Sequence, residues 1–447
     1  MQAAGFEQAL TSRVDDMLDA CTKCGKCFEV CPIAGPAGLG AADPRAVVSG
    51  VLDILRFGTG PSESEKWAKA CMASGECIKA CDYGVNPRFL LTMARLAIMR
   101  NEKDPTERRQ QGVNLFRKLG QDVGVLSRLQ LSEEALIRLG QKPAKETARA
   151  ELPDVVFYTG CNVLKTPHIA LLCLDIMDMI GVDYKVMGGP THCCGTGQLR
   201  SGDTETLARF AANTINKLSQ SKTKQVLAWC PSCVMQFGET VLPTFERATG
   251  EMPFDMTPFM PFLHSKLDEL RPFLKNRVEM TVALHRHPGI AGVMEAAEEL
   301  LGAVPGIRIV KLGVPGVGLQ SVNLATLPKF KAELQLKELE AARAAGVDAL
   351  VAVYHSDHRE LCAHERDWPF RIVNVLEIVG ESMGFRQEDH YKNLKIKQDV
   401  DAIISDAGDL MKRHGLDLDT ARKVIVNGML ADQPLPLQGR REAVEAR

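Results

Sequence analysis

The sequence lacks an excess of charge of one sign, a long hydrophobic run and a dinucleotide-binding fingerprint. Its 54 Lys and Arg residues nearly balance its 56 Asp and Glu residues, for a net charge of −2. Because no basic stripe is present, we expect no nucleic-acid partner. The longest apolar stretch, from Ile169 to Met179, is interrupted by Asp175 and Asp178. We therefore expect no direct insertion into a membrane.

The sequence also argues against secretion and against a nucleotide cofactor held by this chain. Charged residues such as Glu7, Arg13 and Asp15 break the apolar core that a signal peptide needs. Cysteines in such a chain are expected to be metal ligands in a reducing cytoplasm rather than disulfides. The glycines at 188–189 and 195–197 lack the G-x-G-x-x-G context. We therefore expect no flavin or nicotinamide to be bound by this chain.

Cysteine, by contrast, is abundant: the chain has 14, and twelve of them lie in three tight groups. The first group contains Cys21, Cys24, Cys27 and Cys31. It has the spacing of the bacterial ferredoxin run, in which three thiolates hold one cluster and a fourth, before a proline, holds the neighbouring cluster. A zinc site is the alternative, but zinc sites usually pair two separated C-x2-C knuckles. We expect a cubane 4Fe–4S cluster, with the cross-over ligand taken from the second group: Cys21, Cys24, Cys27 and Cys81.

The second group repeats the spacing of the first but has Ser74 in place of the middle cysteine. This pattern resembles that of the three-iron cluster in the iron–sulfur subunits of succinate dehydrogenase and fumarate reductase. A cube with one unligated corner loses that iron readily, so we expect a 3Fe–4S cluster held by Cys31, Cys71 and Cys77. A second 4Fe–4S cluster with a serine or water ligand is the rival interpretation, and a run without any cluster is the third.

The third group combines a C-x31-C-C-G segment with a later C-P-S-C segment, and its members are Cys161, Cys193, Cys194, Cys230 and Cys233. It resembles the cysteine-rich (CCG) domain of the catalytic B subunit of heterodisulfide reductase, over roughly residues 155–360. The ferredoxin-like part resembles the C subunit of the same enzyme, so a fused C–B arrangement is indicated. Related fusions serve as iron–sulfur subunits of glycolate, glycerol-3-phosphate and lactate dehydrogenases.

The resemblance implies a noncubane 4Fe–4S cluster on the five cysteines of the third group. Zinc is the alternative for this site as well. Archaeal heterodisulfide reductases place a disulfide between two such clusters, one from each CCG repeat. In this chain the second repeat has residues such as Val314, Tyr354 and Asp357 at the corresponding places. Cleavage of a disulfide between two clusters is therefore not expected.

The order of predicted elements gives the fold class. Residues 1–105 are expected to form a helical ferredoxin-like domain with two clusters and helices at 45–57 and 88–100, followed by a helical connector at 106–150. From residue 151 the order strand–helix–strand–helix–strand occurs twice, which predicts a pseudo-twofold α/β domain with parallel sheets. We assign 151–248 to the first CCG repeat, 249–390 to a degenerate repeat without the motif cysteines, and 391–447 to a charged helical tail.

Several histidines accompany the lost cysteine site. His285, His287, His355 and His358 are expected at the ends of two converging strands. Imidazoles so placed bind a mononuclear metal or relay protons, but we favour polar lining of a pocket or contacts to a partner. His192, beside the CCG pair, is expected to be a hydrogen-bonding neighbour of that site rather than a ligand.

These observations favour an iron–sulfur electron-transfer subunit. A chain without its own flavin needs a flavin-containing dehydrogenase or electron-transfer flavoprotein as partner, so we expect a hetero-oligomer. A catalytic thiol–disulfide reductase acting at the single noncubane site is the alternative. A redox sensor is a distant third, because nothing in the sequence indicates a DNA-binding element.

Overall fold

The computed structural model describes residues 3–142, 152–318 and 326–430. Its amino-terminal part is helical, and an α/β part with two parallel sheets follows, as the sequence predicts. The helices of the first part are Ala3–Ala20, Lys26–Glu29, Pro44–Phe57, Ser62–Ala70, Glu76–Lys79, Pro87–Glu102, Pro105–Arg128 and Glu133–Arg138. The ends of the predicted connector and of the predicted tail lie outside the described residues.

Side-chain caps explain where three of these helices begin. Asp43 accepts a hydrogen bond from the backbone N–H of Ala46, and Asn86 accepts one from Phe89, so each helix begins at the proline that follows its cap. Asp104 forms a reciprocal capping box with Glu107 and opens the long helix Pro105–Arg128. This helix forms most of the described part of the predicted connector.

The α/β part contains two four-stranded parallel sheets of the same topology within the described ranges. The first sheet has the order β2-β1-β3-β4 and the second the order β6-β5-β7-β8. Their strands are β1 Val155–Tyr158, β2 Tyr184–Met187, β3 Gln225–Ala228, β4 Asp255–Pro258, β5 Met280–Leu284, β6 Ile307–Val310, β7 Ala349–Ala352 and β8 Arg371–Asn374. Three strands of each sheet are confirmed predictions, and the repeat of the element order is visible in the two matching topologies.

The fourth strand of each sheet is absent from the sequence-based prediction. β4 ends at Pro258 and only its last three residues are partly buried, so it has neither a long apolar run nor a clear alternation. It pairs with β3 from Gln225↔Asp255 to Ala228↔Pro258. The first sheet therefore extends past residue 248, where the sequence suggests the boundary between the repeats.

Helices cover both sheets. Those of the α/β part are Pro167–Met179, Thr196–Ser201, Thr204–Ser219, Pro231–Met235, Leu242–Thr249, Phe259–Ser265, Leu267–Leu270, Val293–Ala303, Pro328–Ala344, His355–Leu361 and Val375–Met383. The helices of the carboxyl-terminal part are His390–Ile396, Val400–Asp406, Gly408–Arg413 and Leu418–Val424, and this part packs on Leu126 and Leu129 of the connector helix. Among the described helices, none combines the length and apolar composition needed to cross a bilayer.

The two sheets share one hydrophobic core. A single buried cluster contains Phe157 and Trp229 from the first sheet together with Leu284 and Val351 from the second. The rings of Trp229 and Tyr354, which follow the central strands of the two sheets, lie 6.4 Å apart. The carboxyl ends of the two sheets therefore face a common interior, where parallel α/β folds place their ligands.

Arg88 joins the helical part to both halves of the α/β part. Its guanidinium donates to the carbonyl of Ala73 at 3.0 Å, to the carbonyl of Gly289 at 2.6 Å and, through Nε, to both carboxylate oxygens of Glu239 at 3.1 Å. The side chain of Arg88 is 8% exposed and that of Glu239 is 20% exposed. One buried cation thus connects a cysteine loop, the second repeat and the first repeat.

We predict that Arg88→Met lowers the free energy of unfolding by about 3 kcal/mol, because it leaves a largely buried carboxylate and two carbonyls without their donor. Arg247→Met is the matched control, since Arg247 pairs with Asp16 at 3.0 Å on the surface and such pairs contribute about 0–1 kcal/mol. Anaerobic urea unfolding followed by circular dichroism measures both variants. Equal losses would show that Arg88 does not hold the parts together.

Candidate functional site

The first two cysteine groups lie in loops with nearly the same backbone. In each loop a non-glycine residue has a positive φ, 57° at Lys23 and 60° at Ala73, and a glycine follows two residues later with φ of 89° at Gly25 and 82° at Gly75. A one-turn helix then begins in both loops. The conformation that places Cys24 is therefore retained at the position where the second loop has Ser74.

The structure brings Cys81 of the second loop to three cysteines of the first loop. A small cavity is lined by the four thiols of Cys21, Cys24, Cys27 and Cys81. Burial, followed by the proximity of the other three thiols, raises the pKa of Cys27 to about 12. Each thiolate in the group disfavours deprotonation of its neighbours. A bound metal cation replaces the protons and so stabilises the arrangement.

The second group brings Cys31 from the first loop to Cys71 and Cys77 of the second. Burial raises the pKa of Cys77, and the nearby thiols of Cys71, Cys27 and Cys31 raise it further. The indole N–H of Trp67 donates to the sulfur of Cys31 at 3.3 Å. Cys77 therefore lies close to both groups, and the two groups are adjacent.

The third group lies at the carboxyl end of the first sheet. Cys161 follows β1, Cys230 follows β3, and the adjacent Cys193 and Cys194 come from the loop after β2. All five cysteines of the group are between 2% and 8% exposed. The sulfur of Cys194 lies 3.2 Å from the Thr196 hydroxyl, and the N–H of Gly195 donates to the sulfur of Cys193 at 3.4 Å.

The electrostatics of the third group favour thiolates at two positions. Hydrogen bonds from Cys193 and Cys233 hold the pKa of Cys194 well below its ordinary value in spite of burial. A hydrogen bond from Cys233, together with the nearby imidazole of His355, does the same for the pKa of Cys230. Thiolates stabilised by neighbouring hydrogen-bond donors are the form that binds soft metals. The donor set therefore fits an iron–sulfur cluster.

Two glycines allow the cysteine loops of the third group to approach one another. A Cβ at Gly160, where φ is 63°, would lie 3.1 Å from the sulfur of Cys233. A Cβ at Gly195, where φ is 78°, would lie 2.4 Å from a methyl carbon of Leu207. Gly197 differs, because a Cβ there would have no contact closer than 3.9 Å. Of Gly195 and Gly197, only Gly195 is therefore required, because its backbone is left-handed and a side chain there would meet Leu207.

The four predicted pocket histidines do not form one group. His355 lies against Cys230, as described above. His285 and His287 lie with Asp357, and the ligand-type atoms of these three residues are within 4.8 Å of one another. His358 belongs to a separate buried group. The expectation that all four line one pocket is therefore corrected for His358, whereas His355 interacts with Asp357 as His285 and His287 do.

The separate group around His358 contains residues that the sequence did not single out. His358 Nε2 lies 2.6 Å from a carboxylate oxygen of Asp389, and His168 lies 3.4 Å from the other oxygen. His168 also lies 3.6 Å from Glu377. No local motif connects these residues, since they are separated by up to 221 positions (389 − 168). Only the packing of the chain brings them together.

His192 directly precedes the CCG pair, and its ring makes contacts within its own loop. Its Nδ1 lies 2.8 Å from the carbonyl of Gly188 and 3.0 Å from the hydroxyl of Thr191. The backbone carbonyl of His192 accepts a hydrogen bond of 2.5 Å from the hydroxyl of Tyr158. His192 therefore fixes the loop that precedes Cys193 and contributes through its backbone.

Comparison with known proteins agrees with this site. The family model of the CCG cysteine-rich domain matches residues 155–238, which include all five cysteines of the third group. The D subunit of dihydromethanophenazine:CoB–CoM heterodisulfide reductase from Methanosarcina mazei is 24% identical over 321 residues, covering 66% of this chain and 75% of the relative. Its counterpart from Methanosarcina barkeri is 24% identical over 322 residues, with the same coverage of both chains.

A further relative covers more of the chain. The B subunit of the fumarate reductase (CoM/CoB) from Methanothermobacter marburgensis is 22% identical over 384 residues, covering 81% of this chain and 72% of the relative. The fold, the five-cysteine site and these similarities together define an iron–sulfur oxidoreductase protein with a CCG domain. Within that class, the chain is a heterodisulfide reductase-like iron–sulfur protein.

We predict that Gly195→Ala disturbs the third group whereas Gly197→Ala does not. The first substitution forces a side chain into a left-handed backbone and against Leu207, at a cost of about 1–3 kcal/mol. Gly197→Ala adds a methyl group in open space. Iron and sulfide content and thermal unfolding, measured anaerobically, should fall only for Gly195→Ala. Equal retention of iron by both variants would contradict the prediction.

Proposed function

We propose that this chain is an electron-transfer subunit with three iron–sulfur clusters in series. The first is a cubane 4Fe–4S cluster on Cys21, Cys24, Cys27 and Cys81. The second is held by Cys31, Cys71 and Cys77, and the third is a noncubane 4Fe–4S cluster on Cys161, Cys193, Cys194, Cys230 and Cys233. When bound, such clusters supply one-electron transfer.

The observation that carries this proposal is the contiguity of the three cysteine groups. Cys77 is close enough to Cys27 for the first group to raise its pKa, so the first two groups are neighbours. Arg95 donates to the carbonyl of Cys71 at 3.1 Å. The nearby Arg200 interacts electrostatically with Arg95 on one side and with Cys194 on the other. The residues thus form a path from the first group to the third.

The surface end of this path is the first group. Cys21, Cys24, Cys27 and Cys81 are partly exposed, whereas all five cysteines of the third group are buried. Tyr83 is 52% exposed beside this end. We therefore place electron exchange with a flavin-containing dehydrogenase or electron-transfer flavoprotein at the first group. The similarity to named subunits of reductases supports a hetero-oligomer.

For the second group, the retained backbone around Ser74 supports a 3Fe–4S cluster. The hydroxyl of Ser74 is 3.5 Å from the backbone nitrogen of Glu76, so this side chain already has a neighbour within its own loop. A cube at this position has three thiolate ligands and one corner without a sulfur. The rival interpretation is a 4Fe–4S cluster in which Ser74 or water ligates the fourth iron.

We predict that Ser74→Cys converts the second cluster to a 4Fe–4S cluster, because the backbone at this position matches the one that places Cys24. The EPR signal of the oxidised three-iron cluster should disappear, and iron should rise by about one atom per chain. Ser74→Ala is the control and should leave the signal in place. If the wild-type protein has no such signal and Ser74→Ala loses iron, Ser74 is itself a ligand.

We predict roughly 11–12 iron atoms per chain in the anaerobically purified protein, three or four of them in the second cluster. Cys193→Ala should remove about four irons with their sulfide and leave the signals of the other clusters. Cys173→Ala is the matched control, since Cys173 is fully buried in the core and belongs to none of the three groups. About eight irons in the wild-type protein would remove one cluster from the proposal.

The partner is tested with the same preparation. A tagged chain expressed in its native host and isolated anaerobically should co-purify with a protein that contains FAD or FMN, and that protein should reduce the clusters when its substrate is added. Cys193→Ala should keep the complex but stop electrons from reaching the acceptor. A flavin bound tightly to the isolated chain would contradict the proposal that the flavin belongs to a partner.

A second function, thiol–disulfide reduction at the noncubane site, is favoured by one observation. A cavity of about 370 Å³ is lined by Thr196 and Ser232, which neighbour Cys194 and Cys233, and by the cationic side chains of Arg95 and Arg200. This cavity suits an anionic organic molecule. Cleavage of an added disulfide by the isolated chain, with reduced viologen as the electron source, would establish this function, and its absence would leave the electron-transfer role.

A further inference from the structure

The second sheet ends in a buried group of two imidazoles and one carboxylate. His285 and His287 directly follow β5, and Asp357 lies in the first turn of the helix after β7. The side chains of these residues are at most 2% exposed. In the first sheet the corresponding strand ends, those of β1 and β3, hold cysteines of the third group. Each half of the pseudo-twofold domain therefore presents its own ligand-type side chains at the same place in its topology.

The atoms of this group approach as metal ligands do. Nδ1 of His287 lies 2.7 Å from Oδ2 of Asp357, and the ligand-type atoms of the whole group lie within 4.8 Å of one another. Two ligand atoms that each lie about 2.1 Å from a metal are roughly 3–4 Å apart, depending on their angle. The group therefore needs only small adjustments to surround one ion.

Four ring or carboxylate atoms of this group lack a hydrogen-bond partner among the described residues. They are Nε2 of His285, Nδ1 and Nε2 of His287, and Oδ2 of Asp357. Nδ1 of His287 and Oδ2 of Asp357 form an ion pair with each other at 2.7 Å, so the two Nε2 atoms are the ones left without any partner in the described part of the chain. Because buried polar atoms without partners are costly, native structures rarely leave them so. Two such atoms in one place indicate a ligand that satisfies them together.

Glu338 holds His285 in the orientation that a metal ligand needs. A carboxylate oxygen of Glu338 lies 2.7 Å from Nδ1 of His285, and both side chains are buried. Since a carboxylate only accepts, Nδ1 carries the proton, and the lone pair of the neutral ring is on Nε2. A carboxylate behind a ligating histidine is the usual outer partner in metal sites, where it fixes the ring and raises its basicity.

The other buried histidine group also has ring nitrogens without partners, on His168 and His358, but its carboxylates are already engaged. Nε2 of His358 already makes a hydrogen bond of 2.6 Å with Asp389. The second oxygen of Asp389 accepts from the backbone N–H of Lys392, and Glu377 accepts from the N–H of Asn374 in a capping box. These carboxylates hold helix ends and an imidazole in place. This second group is consequently a structural network.

We propose that His285, His287 and Asp357 bind one divalent first-row transition ion, zinc or ferrous iron, with Glu338 as the positioning residue for His285. Two imidazoles and one carboxylate are a ligand set that both ions accept, and three protein ligands leave a coordination position open. The set has no sulfur and is unsuited to an iron–sulfur cluster. A cavity of about 160 Å³ lined by Leu284 and Glu338 lies beside the group.

The proposed ion site lies close to the third cysteine group without sharing a ligand with it. The ring of Tyr354 is 4.7 Å from that of His287 and 6.4 Å from that of Trp229. Trp229 immediately precedes Cys230 in the sequence. The rings of Tyr354 and Trp229 meet edge to face between the two sites, and the loss of one set of ligands should leave the other set intact.

The test is the metal content of the full chain purified anaerobically from medium that contains both iron and zinc. We expect about one zinc per chain, or about one iron in excess of the sulfide-containing clusters, visible as high-spin ferrous iron in Mössbauer spectra. His287→Gln and Asp357→Asn should abolish this ion and leave the sulfide content unchanged. Glu338→Gln should keep the ligands and weaken the affinity for the added metal about 10–100-fold.

His358→Gln is the matched control, because His358 is equally buried but belongs to the other group. It should retain the ion. Loss of the ion in His358→Gln with retention in His287→Gln would move the site to the other group and overturn the proposal. Unchanged circular dichroism and sulfide content show that each variant is folded.

A measurement without substitutions keeps the test independent of folding. Anomalous scattering at the zinc and iron absorption edges, from crystals of the wild-type chain grown anaerobically, should show one peak between His285, His287 and Asp357. An ordered site with no zinc and no sulfide-free iron, in crystals whose clusters are present, would overturn the proposal.

Discussion

The salt bridge between Arg88 and Glu239 is the contact on which the relative placement of the three cysteine groups depends. Arg88 lies on a helix of the amino-terminal part, and it also donates to Ala73 in the second cysteine loop and to Gly289 in the second repeat. A planar guanidinium with five donors serves three directions at once, which an ammonium group does not. Arg88 thereby helps to fix the distance between the second and third groups, on which the proposed electron transfer depends.

The second repeat has a structural task that explains why its glycines remain without its cysteines. A Cβ at Gly318 would lie 2.4 Å from the carbonyl of Met72, and a Cβ at Gly289 would lie 2.8 Å from the carbonyl of Ala73. These glycines allow two loops of the repeat to contact the backbone of the second cysteine loop. The repeat therefore supports the second group from outside. Its own strand ends are free to hold imidazoles and carboxylates in place of thiolates.

Local signals in the sequence were enough for the central strands, the capped helices and the cysteine groups. Strand β1 and the helix after Asn86 have apolar patterns and caps that act within a few residues. Strand β4 was missed because Asp255–Pro258 becomes a strand only by pairing with β3. The pairing of His285 with Glu338 was missed for a similar reason, since 53 positions separate them and no spacing rule relates a strand end to the middle of a helix.

The buried charges of the second half follow from the way a parallel sheet is built. Strand ends converge on one edge, so polar side chains there are desolvated together and must compensate one another. Burial raises the pKa of Asp357, but His287, His285 and His355 lower it more, and the carboxylate remains charged. In the first half, we propose that thiols meet the same constraint by binding a cluster. An edge that faces the interior of this fold thus requires ligands or counter-charges, and the two halves satisfy that requirement with different side chains.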